Sequence, residues 1–525
     1  MPKDKNLIIS NKNAGSSSDA VSDSTVKAFS FNDDVLKLFN IKESQVEEFK
    51  ISSEKDELHV QITLNRGDCS CPMCRSEEIK VKGYKIKKVR HSVLAHAPCI
   101  IDYKQRRFEC KNCGKTFNEE NPFTFPGEKV SVTTVFLVLK DLRDPNETFT
   151  SVANRYFLSP TTVQRIFDAH VNIPRKKLTK YLVMDETYSF HSSQGDYVYV
   201  LMDFETLAII DILPTRKKDD LQNYFSKIPK DERDQVRMTS SDMWETYRSV
   251  SKQFFPNSKH VVDTFHLKAE LSRKLQDVRI RVMKDNYVKK KKPEEIKAMS
   301  PQEQEEYEQK IINYYLLKKF KWMFYKRPDD KCFDPNNEKK YNKVFKRYLN
   351  YYEIYYMILD IDDELREAVA LQECLFAFFR KNDLKTAAKA LKELITNFHA
   401  SQVKEMNDFA NTLANWKQEI LNYFEPVQIG EEFIIDDDLN NAETELIKNF
   451  IAKNRQKKTR RMNSSVIENR NRIIQSIKCC ANGYSNWSRF RNRVLYCLGM
   501  DTSFFLEPQP ISRDRINDKG SRSKR

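Results

Sequence analysis

The chain has 525 residues and carries 90 Lys and Arg against 75 Asp and Glu, a formal net charge of +15. That length allows two or more domains with sizeable cores, and the charge favours a polyanionic partner. Only ten glycines occur, neither GxGxxG nor GxxxxGK followed by Ser or Thr is present, and no apolar run reaches ~18 residues, which disfavours a nucleoside-triphosphate motor and a membrane-spanning helix.

The N-terminus lacks the apolar core of a signal peptide, so a cytoplasmic protein is expected, with no membrane partner. Its 11 cysteines are then reduced, and clustered ones are metal ligands rather than disulfides. Residues 1–28 are rich in Ser, Asn, Asp and Lys and are expected to be disordered. Residues 30–120 read as an N-terminal zinc-binding domain. They hold a helix-like segment from Asp34 to Phe39, an alternating strand from Leu58 to Leu64, and two knuckles, Cys71-Pro-Met-Cys74 and Cys110-Lys-Asn-Cys113. Four thiolates are the tetrahedral set preferred by structural Zn2+. The long spacer between the pairs contains strand-like text, which predicts a ribbon with long hairpin arms. Cys69 and Cys99 compete as ligands, and buried free thiols are the plain alternative. Basic residues around the site, Arg90, Arg106 and Arg107 among them, point towards DNA.

Residues 125–178 read as a helix-turn-helix domain. Thr150 to Phe157 forms one helix, and Ser159 caps a second with Pro160 at its first position. Thr161, Thr162, Gln164 and Arg165 would then face a major groove, unless the pair is an ordinary helical hairpin. Residues 179–285 alternate strands and helices. Strands are predicted at Tyr181 to Tyr188, Tyr197 to Phe204, Leu207 to Leu213, from Val236, and at His260 to Asp263. Three strands, a helix and then alternating elements indicate an α/β fold, and the order matches a ribonuclease-H-like core. Lys289 to Lys292 is a solvated face or a DNA-backbone contact. Residues 286–460 are read as an α-helical insertion without strands, ending in the basic run Lys453 to Arg461. Residues 461–505 complete the core, with a helix over 464–478. Its buried face is assigned to Val466, Ile473, Ile474 and Ile477, and its polar face to Glu468, Asn471, Arg472 and Gln475. Residues 506–525 read as a basic, disordered tail.

The chemistry rests on three acids. Asp185 stands at or near the end of the first strand and Asp242 after the fourth, strands that are neighbours in such a sheet, and Glu468 on the late helix is the third. Phosphodiester cleavage with two Mg2+ (or Mn2+) ions needs oxygen donors of this kind. The bland readings are a turn or cap role for each aspartate, and a capping box from Ser465 to Glu468. Asp263 and His266 stand just after the fifth strand. Asp263 is an alternative ligand or DNA contact, and His266 a proton-transfer group, a phosphate contact or a structural residue.

In combination these stretches resemble the DDE transposases of the ISL3 insertion-sequence family. The residues that carry the resemblance are the two CxxC pairs with Arg90-His91 and Arg106-Arg107-Phe108 between them, the helix pair over Ser151 to Phe167, Met184-Asp185-Glu186, Ser241-Asp242-Met-Trp-Glu-Thr-Tyr247, Phe255 to His266, and the block from Glu468 through Asn482-Gly483-Tyr484 to Arg493. The family usually has Gly after its catalytic glutamate, where Asn469 stands. The resemblance covers most of residues 30–500. It implies Asp185, Asp242 and Glu468 as the catalytic, Mg2+-holding triad, binding of double-stranded DNA at terminal inverted repeats, strand cleavage and transfer, and action on the nucleoid as a homodimer or higher oligomer. The rivals are a nuclease of the same fold that cuts without joining, and a DNA-binding regulator derived from an inactive transposase.

Overall fold

The computed structural model describes residues 7–9, 33–54, 56–92, 97–192, 195–327, 329–433, 455–499 and 503–517. The chain is mixed α/β and divides into two compact units. One comprises Met1–Arg175, Tyr188–Tyr197 and Arg472–Arg525, the other Lys176–Thr187 and Val198–Asn471. Among the described residues no helix is long and apolar enough to cross a membrane.

The first unit opens with a six-stranded sheet. Its strands are β1 (Leu7–Ile9), β2 (Val46–Glu54), β3 (Glu57–Leu64), β4 (Ile79–Arg90), β5 (Cys99–Cys110) and β6 (Thr116–Asn118), in the order β1-β2-β3-β5-β4, with β6 on β5. Period-two alternation buries Val60 and Ile62 of β3 with Cys99, Ile101 and Tyr103 of β5 against Leu36 of the Asp33–Lys37 helix and Phe39 just beyond it. β4 and β5 are the predicted hairpin arms, paired antiparallel from Ile79↔Cys110 to Arg90↔Ile100. Within residues 1–28, expected to be disordered, Leu7–Ile9 pair with β2, Leu7 opposite Ile51. The rest of that stretch lies outside the described residues.

Three helices follow, Val132–Asp141, Phe149–Arg155 and Pro160–His170. Ser159 caps the last one as expected, its Oγ accepting from the Thr162 amide at 3.1 Å, and Pro160 takes the first helical position. The turn between the last two is made by Phe157 at φ 53°. The Trp487–Leu498 helix belongs to this unit as well. Its Arg493 is fully buried and donates to the carbonyls of Asp144 and Glu147 at 2.8 and 2.7 Å. The tail is a second correction. Gln509 N–H donates to the Ala169 carbonyl at 2.8 Å, and Arg515 donates to that of Val171 at 3.1 Å, from a short helix over Arg513–Asn517. One backbone and one side-chain hydrogen bond thus hold part of a segment whose composition alone reads as solvated. Residues 518–525 lie outside the described part.

A second sheet, of which all but the Tyr188–Tyr197 stretch belongs to the second unit, consists of β7 (Tyr181–Ser192), β8 (Gly195–Asp203), β9 (Ile209–Leu213), β10 (Met238–Ser241) and β11 (Lys259–Val262) in the order β11-β10-β7-β8-β9. β7, β10 and β11 run parallel, whereas β8 and β9 pair antiparallel. All four residues of β10 are buried, as a central parallel strand requires. Leu221 and Phe225 of the Lys218–Ser226 helix, and Tyr247 and Val250 of the Glu245–Phe254 helix, cover the sheet and close a core with Leu182, Met184, Tyr199 and Leu201.

The Thr264–Asp285 helix leads into a helical array whose buried leucines and phenylalanines form one continuous cluster, from Val262 to Phe424. Two hairpins correct the reading of this stretch as strandless. β12 (Lys340–Asn342) pairs with β13 (Arg347–Leu349), and β14 (Pro426–Phe433) pairs with β15 (Arg455–Arg461). Tyrosines spaced like a helical stripe mask the first. Its turn contains Lys346 at φ 52°, and Tyr341 meets Tyr348 across the strands at 5.4 Å. The basic run before the late helix is β15, and residues 434–454 lie outside the described part.

Candidate active site and metal centre

The β4–β5 register brings the two cysteine knuckles together. Each knuckle closes the same way. Arg75 N–H donates to the Cys71 carbonyl at 2.8 Å, and Gly114 N–H to that of Cys110 at 3.0 Å, with Arg75 and Gly114 in the left-handed region at φ 57° and 69°. The sulfurs of Cys71, Cys74, Cys110 and Cys113 all lie within 4.8 Å of one another, and the Cys71–Cys113 and Cys74–Cys110 separations are 3.5 Å. Tetrahedral Zn2+ with Zn–S bonds of about 2.3 Å needs sulfurs roughly 3.8 Å apart, so the four residues fit the ion. Amides of Cys74 and Met73 hold the Cys71 thiol down at about 6, and those of Cys113 and Asn112 lower Cys110, which favours the ligating thiolate. The competing cysteines fall away. Cys99 is buried in the sheet's core, where burial pushes its thiol up to about 12, and Cys69 packs beside the small apolar cluster of Ile79 and Phe108.

The acids come together just beyond the last parallel rungs, Asp185 lying within β7, which continues to Ser192. Val183 of β7 pairs with Ser240 of β10, so Asp185 and Asp242 each stand two residues beyond the same rung. Ser241 pairs with Val262, which places Asp263 one residue beyond β11, level with Asp242. The late helix spans Ser465–Cys480 and is tied to β10 by Ser464 Oγ, 3.1 Å from Ser240 Oγ. Ser465 is its first helical residue and donates to Asn463 Oδ1 at 2.5 Å, so it does not occupy the capping position expected of it. The buried stripe of the helix is also shifted, to Ile467, Asn471, Ile474 and Ile477. Asn471 was assigned to the polar face. It is 8% exposed, and its Nδ2 donates to Asp185 Oδ2 at 2.8 Å.

Burial, reinforced by the charges of Glu186, Asp242 and Asp263, raises the Asp185 carboxyl to about 8. Burial and Glu186 raise Asp242 to about 6. Asp263 is raised by burial and by the charge of Glu468, which places the glutamate within the same field. Two oxygens of this cluster, Asp242 Oδ1 and Asn471 Oδ1, are buried without a hydrogen-bond partner. Carboxylates that resist ionisation, together with oxygens lacking a donor, fit a hard divalent cation such as Mg2+. Among the described residues the four thiols are the group of three or more ligating atoms that meets within 4.8 Å, so the carboxylates are set more widely than a single closed cage.

Sequence reasoning missed the residues that brace this cluster. Glu186 accepts from Arg216 and from the Tyr247 hydroxyl, and the Arg216 guanidinium lies 5.1 Å from the Trp244 ring centre. The acid following Asp185 was a legible signal; its partners, far along the chain, were not. Asp263 caps the Thr264–Asp285 helix, accepting from Phe265 N–H at 3.0 Å, and His266 Nε2 lies 3.8 Å from its Oδ2.

The residues expected to meet DNA divide. Arg90, Arg107, Thr161 and Arg165 are exposed, Arg165 being paired with Glu128 at 3.0 Å. Thr162 and Gln164 are half-buried, and Gln164 accepts from Arg489 at 3.2 Å. Arg106 is corrected. Its side chain is 4% exposed and pairs with Glu119 at 2.9 Å and with Glu47, so it serves the sheet and not a surface.

Residues 182–430 match the family model described as Transposase, of the ISL3 DDE type, and residues 68–113 match the zinc-finger of transposase IS204/IS1001/IS1096/IS1165. The first match contains Asp185, Asp242 and Asp263 and ends before Glu468. No curated protein matches the chain. The two matches, spanning more than half of the chain, define a transposase that carries a zinc ribbon. The chain belongs to the ISL3 family of DDE transposases.

Proposed function

We propose that this transposase binds the terminal inverted repeats of its element and carries out Mg2+-dependent strand cleavage and strand transfer. The observation that carries the reading is the strand register that sets Asp185 and Asp242 at one level on adjacent parallel strands, with the Glu468 helix tied to the second. The sheet order, with three parallel strands and β8 and β9 beside β7, supports a ribonuclease-H-like core. The capped helix pair supports a helix-turn-helix reader of the ends, with Thr161, Thr162, Gln164 and Arg165 on its second helix and Arg90 and Arg107 of the ribbon on DNA backbone.

Asp185, Asp242 and Glu468 would hold the cation, which when bound neutralises charge on the phosphodiester oxygens and activates the attacking water or hydroxyl. Asn471 orients the Asp185 carboxylate through its amide. Glu186 stays in place through Arg216 and Tyr247, keeping further negative charge beside the two aspartates. Each DNA end needs its own set of acids, which makes at least a dimer the working form on nucleoid DNA in the cytoplasm.

The test is cleavage and joining of a DNA fragment carrying the element's ends, comparing wild type with Asp185→Ala, Asp242→Ala and Glu468→Ala. Wild type is expected to cut and join while all three variants bind and do neither. Cutting without joining of pre-cut ends would favour the nuclease, and binding without cutting by wild type would favour the regulator. An active Glu468→Ala would move the third ligand elsewhere, with Asp263 next in line.

A further inference from the structure

A cavity of about 840 Å3 opens inside the helical array of the second unit, far along the chain from the acidic cluster. It is formed where the Pro301–Lys319 helix ends, where the β12–β13 hairpin crosses, and where the Tyr351–Leu359 helix begins. Its volume lies in the range of roughly 300–1,000 Å3 that ordinarily receives a small organic group. The floor is apolar, supplied by the buried side chains of Phe320, Leu349 and Ile354. The rim is basic. Lys319, Lys331, Lys340 and Lys343 surround the opening, against the single carboxylate of Glu338.

Two features of the rim suit a ligand that is both aromatic and anionic. Lys331, Lys340 and Lys343 are exposed and, among the described residues, have no acidic side chain within ion-pair distance. Tyr341 and Tyr351 stand at the mouth 54% and 44% exposed, Tyr341 against the Tyr348 ring and Tyr351 against that of Trp322, with the rest of each ring open to the cavity mouth. The same wall already shows the pairing of cation with ring: Lys319 donates to the Tyr315 hydroxyl at 2.8 Å and lies 5.6 Å from the Phe320 ring centre. Beyond the mouth the hairpin continues the pattern with Arg347 and with Tyr348, 65% exposed.

Unpaired lysines around ring faces and an apolar floor match an unstacked nucleobase with its phosphates. A closed duplex cannot present that combination, because its bases are stacked on one another. We propose that this cavity takes an unpaired nucleotide of the DNA substrate, with Tyr341 and Tyr351 stacking on the base and Lys340 and Lys343 on the flanking phosphates. The inference rests on the reading of the chain as a DNA-handling transposase and adds to it a site for single-stranded DNA apart from the carboxylates.

The test uses the full-length protein with a fluorescein-labelled single-stranded oligodeoxynucleotide and the matching duplex, followed by anisotropy. Wild type is compared with the double variant Tyr341→Ala/Tyr351→Ala, with Tyr341→Phe/Tyr351→Phe, and with Lys340→Ala/Lys343→Ala. The alanine tyrosine variant is expected to bind the single strand about tenfold more weakly while duplex affinity is unchanged, and the phenylalanine variant to restore binding. The lysine variant is expected to flatten the dependence of single-strand affinity on salt. Thermal melts check that these exposed substitutions leave the fold intact. Equal single-strand affinity in wild type and the alanine tyrosine variant overturns the cavity site while leaving the transposase reading standing. Failure of wild type to bind either DNA overturns the DNA-handling reading itself.

Discussion

Asn471 donates to Asp185 Oδ2 at 2.8 Å across 286 positions of sequence, and its own Oδ1 is buried without a donor. An amide in that position fixes one carboxylate oxygen and leaves a neutral oxygen facing the same cluster. Asn471→Leu keeps the volume and removes both roles. It is expected to lower the rate of DNA cleavage about 10–100-fold, the ordinary cost of losing a partner behind a metal ligand, and to weaken Mn2+ binding measured by calorimetry. DNA affinity should not change. A variant that cleaves at the wild-type rate would reduce Asn471 to a packing residue.

Asp185 is held neutral by burial and by its acidic neighbours, so its ionised form strains the metal-free protein. Asp185→Asn removes that strain with little change of shape. The variant is expected to melt roughly 2–5 °C higher than wild type without divalent ions, and to lose both the stabilisation by Mn2+ and all cleavage. Differential scanning calorimetry with and without the ion separates the two effects. A lower melting temperature in the absence of ions would contradict the electrostatic account.

Removal of Zn2+ should act on the ribbon alone at first. Chelation, or Cys113→Ser, is expected to release one ion per chain and to abolish the protection of β4 and β5 against hydrogen exchange, since the thiol cluster joins the ends of both strands. Cys99→Ser should leave the zinc content unchanged, because that thiol points into the apolar core. Loss of zinc on that change would reassign the ligand set.

Two buried histidines set an acid limit. Burial lowers His91 to about 4 and His260 to about 3, from an ordinary value of 6.5. The unfolded chain therefore takes up protons below pH 6.5 that the folded chain refuses, and stability present above that pH is lost as pH falls towards 3–4. The raised carboxyls of Asp185 and Asp242 act with the opposite sign over the same range, so the histidine contribution is read as the difference in urea midpoint between wild type and His260→Gln from about pH 7 to about pH 5. His260→Gln should lose less stability than wild type as pH falls through this range, and an unchanged difference across it would show that His260 does not titrate with folding.

Arg106 and Arg107 are neighbours with opposite fates. Arg106→Ala leaves Glu119 short of its cation inside the sheet and is expected to cost about 3 kcal/mol of stability, with no change in the salt dependence of DNA binding. Arg107→Ala, at an exposed position, should spare stability and reduce that dependence by about one phosphate contact. Denaturant titrations and binding at several salt concentrations decide between them. A salt effect for Arg106 alone would reverse the assignment.

Much of this was legible in the chain itself. The two CxxC pairs carry their ligand chemistry in their spacing, and the strand-like text between them foretold β4 and β5. The alternation around Asp185 and Asp242 put Asp242 just beyond its strand, whereas Asp185 lies within β7, which continues to Ser192 past the end expected for it. Ser159 with Pro160 announced a helix start that the structure contains. The hairpin of Lys340–Asn342 with Arg347–Leu349 was not legible, since tyrosines three and four apart satisfy a helical stripe equally well.

What the sequence determined by itself was therefore the kind of residue available and the element that carries it: four thiolates, two aspartates carried by strands and a glutamate on a late helix. What only the tertiary structure decided was company. Strand register levelled Asp185 with Asp242, packing turned Asn471 from an expected polar face into the acidic cluster, and two glutamates drew Arg106 off the surface. Each of these depends on groups separated by tens to hundreds of residues, and burial and Coulomb interaction act through distance in space, which a linear period does not encode.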